Sequence, residues 1–180
     1  MSSRYRLSRS FCIPKANEEG TAARTSIMAI MLIVKGAGSR GKTSTLKNLI
    51  DNLLDGKEPM DREPTTYGDD VLVITERNGM KIGIITLGDP GCTDYVREKV
   101  EYCHAEKVDF IVAASRTKYR TDSVYKFLWD YAHEKNYITF ETSTIVKYDN
   151  WGKHVSADVL NKICAENILN IIDKANEIEK

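Results

Sequence analysis

The chain has 180 residues, 42% hydrophobic and 29% charged, a composition that suits one globular domain around a single core. Basic and acidic side chains balance at 26 each, so no global field draws the molecule to nucleic acid or to a membrane surface. The four scattered cysteines (Cys12, Cys92, Cys103, Cys164) form no C-x-x-C pair, which argues against a zinc site or a disulfide framework and fits reduced thiols in a cytoplasm; the longest apolar run, residues 27–34, is too short to span a bilayer.

Residues 1–27 carry Arg4, Arg6, Arg9, Lys15 and Arg24 against Glu18 and Glu19, with several serines and no apolar periodicity. Such a segment cannot bury itself and is expected to be a disordered N-terminal extension, with a targeting segment as the alternative. The fold is expected to occupy 28–180. Residues 28–34 form a continuous apolar run that ends at glycines, as a parallel strand buried on both faces does. Leu46, Leu49, Ile50, Leu53 and Leu54 then recur at helical spacing, and Gly56 closes that helix. Residues 56–70 are polar, hold two prolines and read as a long loop.

Two strand-like runs, 71–76 and 80–87, meet at Asn78-Gly79, the strongest short-range hairpin signal because both residues accept positive φ. Next come a helix over 94–106, a strand over 109–114, a basic turn, a helix over 122–135 and a strand over 137–141. The last helix starts at the N-cap Ser156 and shows Val159, Leu160, Ile163, Ile168, Ile171 and Ile172 at helical spacing. Strands alternate with helices apart from the hairpin, so the expected class is α/β, a mostly parallel sheet with helices on both faces.

The chemistry concentrates at residues 36–43. Gly36, Ala37, Gly38, Ser39, Arg40, Gly41, Lys42 and Thr43 match G-x-x-x-x-G-K-[ST] at every fixed position, between a buried strand and an amphipathic helix. The glycines let successive N–H groups, together with that of Ser44, converge at a helix N-terminus, where the helix dipole favours phosphate. Lys42 would add a point charge at the β- and γ-phosphates and Thr43 a hydroxyl ligand for Mg²⁺. A second oxygen ligand is expected from Asp89, which follows an apolar strand and is flanked by Gly88 and Pro90-Gly91. Arg116 and Arg120, just after the 109–114 strand, are candidates to stabilise charge on a γ-phosphate. Asp94 reads as a helix N-terminal residue. The expected cofactors are therefore ATP or GTP with Mg²⁺.

These residues resemble the P-loop NTPases over about residues 31–141, with Gly36 to Thr43 as the Walker A loop. The resemblance implies a three-layer sandwich and Mg²⁺-dependent binding and hydrolysis of a nucleoside triphosphate. The hairpin and the Gly88-Asp89-Pro90-Gly91 turn resemble the Ras-like GTPases, which would make Thr65 or Thr66 a switch threonine. The guanine-reading N-K-x-D motif of that family does not occur, so the base stays open between ATP and GTP. Arg116, Lys118 and Arg120 also resemble the lid of nucleoside and nucleotide kinases, in which Asp69 and Asp70 would hold a substrate hydroxyl or base. The layout as a whole is similar to small bacterial or phage P-loop nucleotide-binding proteins. Three functions follow as expectations: hydrolase, kinase acting on a small acceptor, and non-enzymatic module working through a protein partner. Neither a membrane nor a nucleic acid is expected as partner.

Overall fold

The computed structural model describes residues 29–38, 41–64, 68–116, 123–145 and 156–178. The expected extension at 1–27 lies outside them, as do Ser39, Arg40, Thr65, Thr66, Lys118 and Arg120. In chain order the described elements are β1 (Ile30–Lys35), α1 (Lys42–Leu54), β2 (Asp61–Pro64), β3 (Val71–Arg77), β4 (Met80–Ile85), α2 (Thr93–Ala105), β5 (Phe110–Ser115), α3 (Val124–Glu134), β6 (Ile138–Ser143) and α4 (Ala157–Ile178). The six strands form one sheet in the order β2-β3-β4-β5-β1-β6.

The fold is α/β with a mixed sheet. Strands β4, β5, β1 and β6 run parallel, whereas β3 pairs antiparallel with both β2 and β4. Alternation along the central strands sorts the side chains into two cores. Ile30, Leu32 and Val34 of β1 face α1 and α4, where they meet Leu46, Leu49, Ile50, Ile168 and Ile172. Met31 and Ile33 face α2 and α3, among Val96, Val100, Phe127 and Leu128. A strand buried on both faces must be apolar at consecutive positions, which is why residues 30–34 carry no period-two pattern. Among the described residues no helix is long and apolar enough to cross a membrane.

The hairpin forms as expected. Asn78 and Gly79 take φ of 55° and 83°, the pair of positive values that matches the twist of the flanking strands. The expectation of a mostly parallel sheet with only this hairpin needs correction, because the 56–70 segment is not all loop. Asp61–Pro64 adds an edge strand, with Asp61 opposite Ile74 and Pro64 opposite Val71. Its polar side chains have no apolar pattern to read. Contacts from α2 hold it instead: Lys99 Nζ reaches Glu63 at 2.6 Å and the Tyr102 hydroxyl donates to Asp61 at 2.7 Å. A short, charged strand is a usual way to close a sheet edge against further pairing.

The expected face of α4 is also corrected. Val159 and Ile163 are 45% and 39% exposed, and the buried stripe runs through Cys164, Ala165, Ile168, Ile172 and Ala175. Its N-cap is Ser156 as expected, whose Oγ accepts from Val159 N at 3.3 Å. The far end of α4 clasps the hairpin: Arg77 donates from Nε and a terminal nitrogen to the two carboxylate oxygens of Asp173, at 2.7 and 3.0 Å. Both side chains are about a third exposed, so solvent screens the pair. Replacing Arg77 by Ala is expected to lower unfolding stability by about 1 kcal/mol, read as a shift of the urea midpoint at constant slope. The cysteines that are described are all free and buried. Burial pushes the Cys103 thiol up to about 12, which makes it an inert core group.

Candidate functional site

The carboxyl ends of β4, β5, β1 and β6 share one edge of the sheet, and the loop after β1 opens there. Two further groups arrive at this edge for topological reasons. Because β3 runs antiparallel, its amino end lies beside the carboxyl end of β4, with Thr86 N bonded to Val71 O at 3.1 Å. Asp70, immediately before β3, is therefore carried to the same edge. Asp89 has further to travel, since β5 stands between β4 and β1. The chain after β4 crosses directly over the end of β5: a Cβ on Gly88 would lie 2.2 Å from the Ala114 carbonyl oxygen. Only glycine permits that approach, and it delivers Asp89 towards the loop.

The loop begins with Gly36, whose N–H donates to Ser115 O at 3.1 Å. Gly41 is the N-cap of α1 at φ 78°, with no side-chain cap on the helix and no acidic residue in its first turn. Among the described residues, no side chain caps the N–H groups of that turn, which open towards the loop. Asn161 of α4 braces the turn from behind. Its Oδ1 accepts from the Thr45 hydroxyl at 3.3 Å and lies 2.2 Å from where a Cβ on Gly41 would stand. Ser44 is exposed on the same turn, and Ala37 is exposed in the loop.

Lys42 is only 6% exposed, folded back so that Nζ donates to Ala37 O at 3.2 Å, with Asp89 Oδ1 at 4.0 Å. Burial pulls its ammonium below the ordinary lysine range. The Asp89 carboxylate opposes this most strongly, Arg116 adds to the lowering, and Asp70 opposes it more weakly. Arg116 leaves the end of β5 and lies across the loop. Its Nε donates to Asp89 Oδ1 at 2.9 Å, and a Cβ on Gly38 would stand 2.2 Å from one of its terminal nitrogens. Lys42, Asp89 and Arg116, expected together from the sequence, are thus in one cluster with Gly36, Gly38 and Gly41.

Thr43 is brought to a different carboxylate. Its Oγ1 donates to Asp70 Oδ1 at 3.1 Å, and the same oxygen accepts from the Thr86 hydroxyl at 2.9 Å. Thr86 is fixed in turn, accepting from Val71 N at 2.8 Å. Asp69 is turned outward to Lys47, at 3.5 Å and largely exposed. A fourth group completes the surround. Thr144, after β6, is 6% exposed, and its Oγ1 has no hydrogen-bond partner among the described residues. It stands 2.6 Å from where a Cβ on Gly36 would lie, so a buried hydroxyl is held against the loop.

Sequence reasoning gave Asp70 only a substrate-binding role, and overlooked Thr86, Asn161 and Thr144. The placement of Asp70 could have been derived, because the Asn78-Gly79 turn makes β3 antiparallel to the strand leading to Asp89. Nothing in the sequence marks Thr144 or Asn161. Among the described residues no group of three or more His, Cys, Asp or Glu is disposed to hold a metal. A hydroxyl beside a carboxylate is nevertheless a hard-oxygen pair of the kind that suits Mg²⁺, which keeps several waters and takes its other ligands from phosphates. No protein-family model matches the chain, and no curated protein or solved structure matches it.

Proposed function

We propose that this chain is a P-loop nucleoside triphosphatase, a three-layer sandwich that binds ATP or GTP with Mg²⁺ at residues 36–44 and hydrolyses the terminal phosphate. The observation that carries this reading is Lys42: a buried ammonium folded onto its own loop at Ala37 O, beside a helix start with no side-chain cap. A buried lysine is costly unless something anionic rewards it, and Asp89 at 4.0 Å compensates only in part. Phosphate oxygens would supply an anionic partner for the ammonium and acceptors for the N–H groups at the start of α1, which no described side chain caps.

In this reading the loop amides and Lys42 hold the phosphate chain, and Arg116, kept across the loop by Asp89, stabilises charge on the γ-phosphoryl oxygens as water attacks. Thr43, with a carboxylate from the same edge, would hold Mg²⁺, which when bound neutralises phosphate charge. The base is unread by any motif, so ATP and GTP are both carried forward.

A thermal-shift panel of ATP, GTP and CTP with their diphosphates, in Mg²⁺, tests the proposal. A triphosphate at about a hundred times its Kd should raise Tm by about 5–10 °C. Phosphate release without an acceptor then identifies a hydrolase. Release only with an added nucleoside or metabolite identifies a kinase, and a shift without turnover identifies a binding module that acts through a partner. A folded protein whose Tm responds to no triphosphate overturns the proposal.

A further inference from the structure

Resting on the nucleotide reading above, we propose that Asp70, rather than Asp89, is the carboxylate that holds Mg²⁺ together with Thr43, and that Asp89 instead serves as counter-ion to Lys42 and Arg116. The two aspartates occupy the same edge of the sheet but differ in what already neutralises them. Asp89 is committed to cations, with Arg116 Nε at 2.9 Å and Lys42 Nζ at 4.0 Å on one oxygen. A divalent ion approaching it would meet two positive charges at close range, a repulsion that the short distances make severe.

Asp70 has the opposite surroundings. Among the described residues it forms no ion pair, and its Oδ1 is held by two neutral hydroxyls, Thr43 at 3.1 Å and Thr86 at 2.9 Å. No hydrogen bond or ion pair engages its Oδ2 among the described residues. Lys47 of α1 pairs with the neighbouring Asp69 at 3.5 Å. The site therefore has a fixed carboxylate with one engaged oxygen, one oxygen open among the described residues and a charge that no described ion pair neutralises, touching the hydroxyl at the first turn of α1. Divalent cations favour that combination over a carboxylate already paired with arginine.

The helix start alone would not make this a ligand site. A second polar group stands beside the loop: the Thr144 hydroxyl, buried against Gly36 with no hydrogen-bond partner among the described residues. Thr86 acts here as a positioning residue: it accepts from the Val71 N–H at 2.8 Å and donates to Asp70, which ties the carboxylate to the first backbone position of β3.

The test is the ratio of nucleotide affinity in excess Mg²⁺ to that in EDTA, by calorimetry with ATP and GTP, on the whole chain and on Asp70→Asn, Asp89→Asn and Thr43→Val. Asparagine keeps the acceptor for Thr43 and Thr86, and valine is isosteric with threonine. Unchanged far-ultraviolet circular dichroism establishes that each variant is folded. The parent should bind about tenfold or more tightly with Mg²⁺, and Asp70→Asn and Thr43→Val should each bring that ratio to within about twofold of one. In EDTA the Asp70→Asn affinity should be unchanged or higher, since a negative charge near the phosphates has gone. Asp89→Asn should retain the parent's ratio whatever happens to its absolute affinity. Loss of the ratio in Asp89→Asn, or its retention in Asp70→Asn, overturns the assignment. A parent that binds nucleotide with no response to Mg²⁺ overturns the metal site while leaving nucleotide binding intact. A parent that binds neither nucleotide refutes both.

Discussion

Lys42→Met is expected to abolish the nucleotide-dependent rise in melting temperature while leaving the ligand-free protein more stable than the parent at neutral pH. Both effects come from the same burial. At 6% exposure the side chain is largely out of water, and among the described residues its partners are one carbonyl at 3.2 Å and a carboxylate at 4.0 Å that is shared with Arg116. Methionine fills a similar volume without that desolvation cost, and Asp89 keeps Arg116 as its partner. Removing the point charge from the phosphates should weaken triphosphate binding by about a hundredfold or more.

The pH dependence follows from the direction of the shift. The folded-state pKa lies below the unfolded value of 10.5. Below the folded pKa both states are protonated, and the parent bears the whole cost of burying charge. As pH rises through the folded pKa towards 10.5, the folded protein releases its proton while the unfolded chain still holds one, so the parent gains stability. The advantage of the methionine variant should therefore be largest near neutrality and should shrink towards pH 10.5, which urea denaturation across that range measures. A variant whose melting temperature rose with Mg-ATP or Mg-GTP as far as the parent's would remove Lys42 from the site.

Gly88→Ala is expected to be the most damaging small substitution near the site. The added methyl would stand 2.2 Å from Ala114 O, 2.4 Å from Ala114 C and 2.7 Å from Ser115 N. All three are backbone atoms of β5, which is hydrogen-bonded on both sides by β4 and β1, so the clash cannot be relieved by a rotamer change. Relief requires the turn to lift off the sheet. The expected cost is about 3 kcal/mol or more, read from chemical denaturation. Because the turn carries Asp89, lifting it should also break the contacts to Arg116 and Lys42. Gly38 offers the instructive contrast. There a methyl would meet the Arg116 guanidinium, the far end of a flexible side chain that can swing away. A Gly88→Ala protein within about 1 kcal/mol of the parent would mean that the turn does not rest on Ala114 as described.

Much of this was readable from local pattern. The run before Gly36, the helical spacing of Leu46, Leu49, Ile50 and Leu53, and the Asn78-Gly79 turn each specify an element through the backbone's own periodicity or allowed φ. Lys42 was singled out by the G-x-x-x-x-G-K-[ST] spacing, and Asp89 and Arg116 because each follows the end of a strand. The β2 strand escaped notice for the reverse reason. Its polar residues are held in the sheet by partners 36 and 41 positions away, at Lys99 and Tyr102, and no local pattern encodes such contacts.

By itself the sequence determined the glycine-loop spacing from Gly36 to Thr43, the α/β alternation and the hairpin, all of which depend on residues within one turn or a few strand positions of one another. The tertiary structure alone decided that β5 stands between β4 and β1, that Asp89 reaches the loop across Gly88, and that Thr43 meets Asp70. It also decided which stripe of α4 is buried. The order of strands and the facing of helices are settled by how two apolar faces are covered at once, a property of the whole core that no single segment carries.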